Sequence, residues 1–243
     1  MHRPKFGYDR LEGYPTGVFN VRMTAAAQDT RRHQFHHGGE ESIVFIVDDD
    51  RALCEALTFL LESVNLPCRT FRTAQEFLDG YDPAQPGCLV LDVRMPGMSG
   101  LDFQGELVAR SYHIPVIMIT GYADVSMAVR AIKAGAVEFL EKPFGDQVIL
   151  ECIQQAIERD RKDRRMRGER AEFEERLSRL TPREREVMDL LMEGLANKAI
   201  AANLSLARKT IETHRANLMA KMKAASLADL IRRMLVYRDP PRS

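Results

Sequence analysis

Four cysteines in 243 residues, none spaced as C-x-x-C, leave no basis for a disulfide framework or a thiolate metal site. Cys54, Cys68, Cys88 and Cys152 lie inside apolar runs and are expected as buried free thiols. Long apolar runs are missing as well. No stretch approaches the roughly 18 apolar residues of a membrane span, and the opening "MHRPKFGYDRLEGYPTG" lacks the apolar core of a signal peptide. A soluble, cytoplasmic protein with no membrane partner is expected. Net charge is also absent, because 35 Lys and Arg balance 35 Asp and Glu. That balance conceals two opposite halves. Residues 42–158 carry 8 basic against 17 acidic side chains, a net of −9, whereas residues 181–243 carry 12 against 7, a net of +5. Such a division suits an acidic unit that holds a cation and a basic unit that approaches phosphates.

Apolar residues make up 45% of the chain, enough for two modest domains with separate cores. Residues 1–41 show no periodicity and are expected to be a disordered extension. His33, His36 and His37 have no Cys or acid at ligand spacing, so they point to a polar tail rather than a metal site. From Ile43 the pattern becomes regular. "IVFIV" (43–47), "GCLVL" (87–91) and "PVIMIT" (115–120) are short and do not alternate, as strands covered on both faces should be. "PCRTF" (67–71) and "AVEFL" (136–140) are weaker strands, and helical patterns follow all five. Five βα units in succession predict a doubly wound α/β domain over 42–158. A nearly all-charged stretch over 159–176 follows. This stretch is expected as a linker that could continue the last receiver helix for some turns, although Gly168 and the lack of an apolar face argue against a stable packed helix; a coiled-coil dimer seam is the alternative. Residues 177–243 read as a smaller all-α domain.

In open parallel sheets, ligands bind at the carboxyl ends of the strands. Polar side chains collect at that rim. Strand one runs into Asp48, Asp49 and Asp50, strand three ends at Asp92, strand four at Thr120, and strand five is followed by Lys142 and Pro143. Crowded carboxylates raise one another's pKa unless a cation sits among them, and an oxygen-only donor set selects a hard ion such as Mg²⁺. Mg²⁺ needs only one or two protein carboxylates and keeps room for a phosphate. A phosphoryl group at Asp92 would find the cation, the Lys142 ammonium and the Thr120 hydroxyl around its oxygens, with Asp92 as the nucleophile that forms an acyl phosphate.

"IVDDD" (46–50), "LDVRMPGMSG" (91–100), "PVIMITGYAD" (115–124) and "AVEFLEKPF" (136–144) together resemble the signature blocks of response-regulator receiver domains of two-component signalling. The resemblance implies a flavodoxin-like receiver whose Asp92 is phosphorylated by a sensor histidine kinase. It implies that Asp49 and the backbone carbonyl of Arg94 contact the metal, with Asp48 helping through water. It further implies that Thr120 follows the phosphoryl group inward and that Phe139 swings with it.

"LTPREREVMDLLMEG" carries a helix-start signal, with Thr181 as N-cap, Pro182 at the first position and Glu184 completing a capping box. "NKAIAANL" follows, capped by Asn197, then the longer "RKTIETHRANLMAKM" and finally "SLADLIRRML" with Ser226 as cap. Two short helices, a tight turn and a longer polar helix make a helix-turn-helix. Its recognition helix would present Lys209, Glu212, Thr213 and Ala216 to a major groove and Arg208, Lys209, Arg215 and Lys221 to phosphates, with Thr210 and His214 also expected among its DNA-binding residues. A four-helix interaction module with a solvated basic face remains open on composition alone. "LTPREREVMDLLMEGLANKAIAANL" and "KTIETHRANLMAKM" resemble LuxR-type DNA-binding domains, and their pairing with a receiver resembles the NarL/FixJ class. That resemblance implies double-stranded promoter DNA as partner, a homodimer when phosphorylated, and leaves RNA polymerase as a further partner. Ala207 departs from the usual Ser or Thr cap of the recognition helix. Glu212, an acid at a base-reading position, would accept a hydrogen bond from cytosine. Two competing functions are a receiver acting only through protein contacts and a Mg²⁺-dependent aspartyl-phosphate phosphatase or phosphotransferase. The latter places a second acid two residues after the nucleophile, where this chain has Arg94.

Overall fold

The computed structural model of the protein describes residues 41–238. The expected extension over 1–41, with His33, His36 and His37, lies outside the described residues except for Glu41. Five strands, β1 (Ile43–Val47), β2 (Cys68–Phe71), β3 (Gly87–Asp92), β4 (Val116–Thr120) and β5 (Glu138–Glu141), form one parallel sheet in the order β2-β1-β3-β4-β5. Helices α1 (Arg51–Ser63), α2 (Ala74–Gly80), α3 (Gly100–Ala109), α4 (Val125–Lys133) and α5 (Asp146–Ser178) follow the strands in turn.

The non-alternating apolar runs have a direct cause. Val44, Ile46, Cys88, Val90, Ile117 and Ile119 pack with α1 and α5 on one face. Phe45, Val47, Leu89, Leu91, Val116 and Met118 pack with α2, α3 and α4 on the other. Burying both faces leaves no place for polar alternation. The strand register aligns the two central strands, with Ile43 opposite Gly87 and Val47 opposite Leu91. Consequently Asp48 and Asp92 leave the sheet side by side at its carboxyl edge. The four cysteines are free thiols, two of them buried.

The charged stretch after residue 158 is not a separate coil. Helix α5 runs unbroken for 33 residues from Asp146 to Ser178, about 50 Å at 1.5 Å per residue. Periodicity missed this because the stabilising pattern is ionic. Arg159–Asp163, Arg164–Asp160, Arg165–Glu169, Arg176–Glu172 and Arg179–Glu175 all pair four residues apart, and each such pair adds a few tenths of a kcal/mol to a helix. Gly168 sits mid-helix and costs about 1 kcal/mol relative to alanine, which those pairs offset.

The carboxyl end of α5 enters the core of the second unit through Phe173. Around it pack α6 (Pro182–Met192), α7 (Asn197–Leu204), α8 (Arg208–Lys221) and α9 (Leu227–Arg238), with Val187, Leu191, Ile200, Ile211, Leu218 and Leu230 at the centre. Thr181 and Glu184 form the expected capping box, and the Ser226 hydroxyl accepts the Asp229 amide hydrogen at 3.1 Å. One cap is displaced by a residue. Ala196, not Asn197, caps α7 and offers no side-chain acceptor; the Asn197 side-chain Oδ1 instead accepts from the Arg215 guanidinium at 3.0 Å. Ala207 caps α8 without a side-chain bond.

Candidate functional site: an acidic strand-end cleft and a basic helix face

Asp48 and Asp92 are each over 95% buried, and Thr120 is fully so. Burying carboxylates without partners is costly, and here the partners are all present. Lys142 Nζ donates to Asp48 Oδ2 at 2.7 Å and lies 3.0 Å from Asp92 Oδ1. The other oxygen of Asp92 accepts the Arg94 amide hydrogen at 3.0 Å, and the other oxygen of Asp48 accepts the Asp50 amide hydrogen at 2.8 Å. Burial pushes the Asp92 carboxyl above its ordinary range, and the Lys142 hydrogen bond pulls against it. Burial disfavours the Lys142 ammonium, but its hydrogen bonds to Asp48 and then Asp92 outweigh this and hold its pKa up.

Asp49 is exposed, and one oxygen from each of Asp48, Asp49 and Asp92 lies within 4.8 Å of the others. Oxygens about 2.1 Å from a Mg²⁺ ion in an octahedron stand about 3.0 Å apart when adjacent and about 4.2 Å when opposite, so the three carboxylates must draw closer together to share such an ion. The donor chemistry fits, being oxygen alone. Asp50, expected at the same rim, is turned away as the N-cap of α1, where its carboxylate accepts from the Ala52 and Leu53 amides at 2.9 and 3.3 Å.

Thr120 lies one residue beyond the Asp92–Ile119 register pair. Its hydroxyl is engaged with the backbone of Tyr122 at 3.3 and 3.4 Å. Phe139 is half-buried on β5, opposite Met118 and packed on the α2–α3–α4 face. By strand alternation Thr120 falls on that same face. Two neighbours of the cleft carried no signal in the sequence pattern. The Arg94 guanidinium lies 4.8 Å from the centre of the exposed Tyr122 ring, and Arg72 donates to the Asp49 carbonyl oxygen at 3.3 Å. Beside Asp48 opens a groove of about 460 Å³ along α1, with Arg51, Thr58, Phe59 and Arg72 in its walls.

On α8 the buried Ile211 and Leu218 leave Lys209, Glu212, Thr213 and Ala216 exposed on the remaining surface. The Thr213 hydroxyl donates to the Lys209 carbonyl at 3.1 Å. Arg208 is exposed and paired with Glu212 at 3.1 Å. Thr210, His214 and Arg215 are half-buried. Lys221 departs from its expected role at the DNA backbone. Its ammonium donates to the buried Glu184 carboxylate at 2.7 Å and to the Arg179 carbonyl at 3.2 Å, so it serves the fold of the unit.

No helix among the described residues is long and apolar enough to cross a membrane. Residues 44–154 match the response regulator receiver domain family, and residues 178–234 match the LuxR family of bacterial regulatory proteins. Nodulation protein W of Bradyrhizobium diazoefficiens is 49% identical over 79% of this chain and 85% of its own. The transcriptional regulatory protein FixJ of Azorhizobium caulinodans is 47% identical over 79% of this chain and 92% of its own. Among solved structures, the response regulator StyR superposes with a TM-score of 0.75 at 44% identity, covering 81% of this chain and all of that one. With both units in place and relatives matched along most of their length, the chain belongs to the response regulators, those that join a receiver domain to a LuxR-type DNA-binding domain.

Proposed function

We propose that Asp92 accepts a phosphoryl group from the phosphohistidine of a sensor histidine kinase and that this controls binding to double-stranded promoter DNA. The observation that carries the proposal is the Asp92 carboxylate, buried at the end of β3 with one oxygen on Lys142 and the other on the Arg94 amide. A carboxylate oxygen attacks phosphorus, the P–N bond breaks, and the electron pair leaves with the kinase imidazole, giving an aspartyl phosphate. Lys142 supplies a fixed positive charge for the equatorial oxygens of the group in transfer, and Thr120 offers a hydroxyl from the neighbouring strand. Asp49, Asp92 and the Arg94 carbonyl, with Asp48 assisting, would hold Mg²⁺, which would supply positive charge to neutralise the incoming phosphoryl group. The protein is a stoichiometric acceptor rather than an enzyme with a small-molecule substrate, since the position a phosphatase uses for its second acid is Arg94.

Output follows from the same reading. Phosphorylation draws Thr120 inward, Phe139 follows, and the altered surface around α4, β5 and α5 favours a homodimer. Two α8 helices then meet a two-fold site, with Lys209, Glu212, Thr213 and Ala216 at base edges, Arg208 and Arg215 toward phosphates, and Thr210 and His214 as further DNA-contacting positions on the same helix. Glu212 is exposed on α8, free to exchange its pairing with Arg208 for a hydrogen bond from cytosine. Acetyl phosphate with Mg²⁺ should add one phosphoryl group to the wild type and none to Asp92→Ala. Equal labelling of the variant would overturn the assignment.

A further inference from the structure

Asp160 is the one acidic side chain among the described residues that is fully excluded from solvent. It lies far from the acidic cleft, on α5 at the opposite edge of the sheet. Its Oδ2 accepts the amide hydrogen of Gly87, the first residue of β3, at 2.9 Å, and the Arg164 guanidinium at 2.7 Å. Arg164 uses its remaining nitrogens on the Ala84 and Gln85 carbonyls at 2.9 and 2.7 Å. Gln85 in turn donates to the Glu41 carbonyl at 2.8 Å, and Ile43 at the start of β1 donates to the Pro86 carbonyl at 2.9 Å. One turn of α5 therefore grips the amino ends of the two central strands, whose carboxyl ends carry Asp48 and Asp92.

The same helix is gripped again further along. Arg170 lies over the Tyr237 ring at 5.0 Å, Phe173 is buried in the helical core, and Arg185 donates to the Leu177 carbonyl at 2.8 Å. Only Arg165 to Glu169 separate the two grips. Asp160 Oδ1 has no hydrogen-bond partner among the described residues. A buried ion pair with an unsatisfied oxygen adds little stability over an apolar pair of equal volume, and its best attested use is to fix register. Successive helix positions differ by about 100°, so the turn that is anchored decides which way the helical unit faces.

We propose that Asp160 and Arg164 are positioning residues that lock the rotation of α5 against the receiver, so that a receiver dimer delivers both recognition helices at one fixed spacing. The inference rests on the proposed phosphorylation-dependent DNA binding. Binding of the full chain is measured on DNA duplexes whose two half-sites are separated by a graded series of base pairs, with and without acetyl phosphate and Mg²⁺. Phosphorylated wild type should show one sharply preferred spacing. The double variant Asp160→Leu/Arg164→Met should label at Asp92 and dimerise as the wild type does, yet bind all spacings about equally. At the preferred spacing its affinity should fall about tenfold or more, because avidity is lost when geometry no longer presents both sites together. Arg164→Lys keeps the ion pair but cannot span two carbonyls, and should broaden the preference to a lesser degree; it also serves if the double variant fails to fold. Retention of the wild-type preference in both variants overturns the inference while leaving the proposed function standing. A wild type whose DNA binding ignores phosphorylation refutes the proposed function, and the inference falls with it.

Discussion

Gly100 opens α3 directly under the acceptor strand. A Cβ added there would stand 2.1 Å from the Asp92 carbonyl oxygen and 3.0 Å from both the Asp92 carbonyl carbon and Val93 Cα. Carbon and oxygen in contact need about 3.3 Å, so the backbone must part by about 1 Å. Little here yields freely. The Gly100 amide donates to the Val93 carbonyl and the Val93 amide to the Ile119 carbonyl, both at 2.9 Å. Overpacking of this kind costs about 1–3 kcal/mol, against which an alanine in the helix returns at most about 1 kcal/mol. Gly100→Ala should therefore destabilise the protein by about 1–2 kcal/mol in urea unfolding. Because the displaced atoms belong to Asp92 itself, labelling by acetyl phosphate should slow by about 100-fold, the usual effect of a 1 Å misplacement. Gly105, one turn along the same helix, has nothing within 4 Å of its hypothetical Cβ, so Gly105→Ala should stabilise by about 0.5–1 kcal/mol and leave labelling untouched. If Gly100→Ala changed stability by less than about 0.5 kcal/mol and labelled at the wild-type rate, the steric argument would be refuted.

Lys142→Met removes the cation shared by Asp48 and Asp92, so the Asp92 carboxyl, already raised by burial, should rise further; carbon-13 NMR of its carboxyl across pH reports the direction, and an unchanged midpoint would contradict it. In the helical unit, burial opposes the Glu184 charge but Lys221 and the Thr181 amide hold its pKa below the ordinary value. A depressed carboxyl contributes stability above its unfolded pKa of about 4.3 and loses it as pH falls through the folded value. Glu184→Gln should thus flatten the acid limb of the helical unit's unfolding curve, and an equally steep limb would count against the ion pair. Asn197→Ala frees the Arg215 guanidinium at a cost of about 1 kcal/mol and should weaken binding to all DNA sequences alike, measured by fluorescence anisotropy on specific and scrambled duplexes. Finally, a duplex with a single half-site should be bound equally by phosphorylated and unphosphorylated chains, in contrast to one with two half-sites.

The α/β unit was legible in the sequence because both faces of its sheet are covered. Five apolar runs bounded by Asp48, Asp92, Thr120 and Lys142 carry the strand positions and the rim in the same letters. Parallel connectivity then puts those four residues at one edge, and the side-by-side register of β1 and β3 places the two acids together. The long helix was not legible by the same means. Its middle has no apolar face, and its stability comes from arginines and acids at four-residue spacing, which hydrophobic periodicity does not register. Asp160 was invisible for another reason. Its partners, Gly87 and the loop before it, lie over 70 residues away, and within "RDRKDRR" it looks like any solvated acid. Lys221 misled in the opposite sense, since a lysine on a recognition helix suggests phosphate until Glu184 is seen beneath it.

The α8 face bears on how phosphorylation at a distant edge could matter. Lys209, Glu212, Thr213 and Ala216 are exposed with the receiver present, so among the described residues nothing masks this face. A switch that shifts the receiver by a few kcal/mol cannot alter the contacts a single α8 makes with a half-site, because those side chains are already available. What it can alter is whether a second α8 arrives with the first. Linking two modules converts the second binding event into an intramolecular one and raises affinity by about 10²–10⁴ without any new contact, provided the linkage matches the spacing of the sites. A flexible charged coil would deliver only part of that gain. A helix of 33 residues, pinned to the sheet through Asp160 and to the helical core through Phe173, is the stiffer connection, and on the proposed reading it would deliver that gain at one spacing.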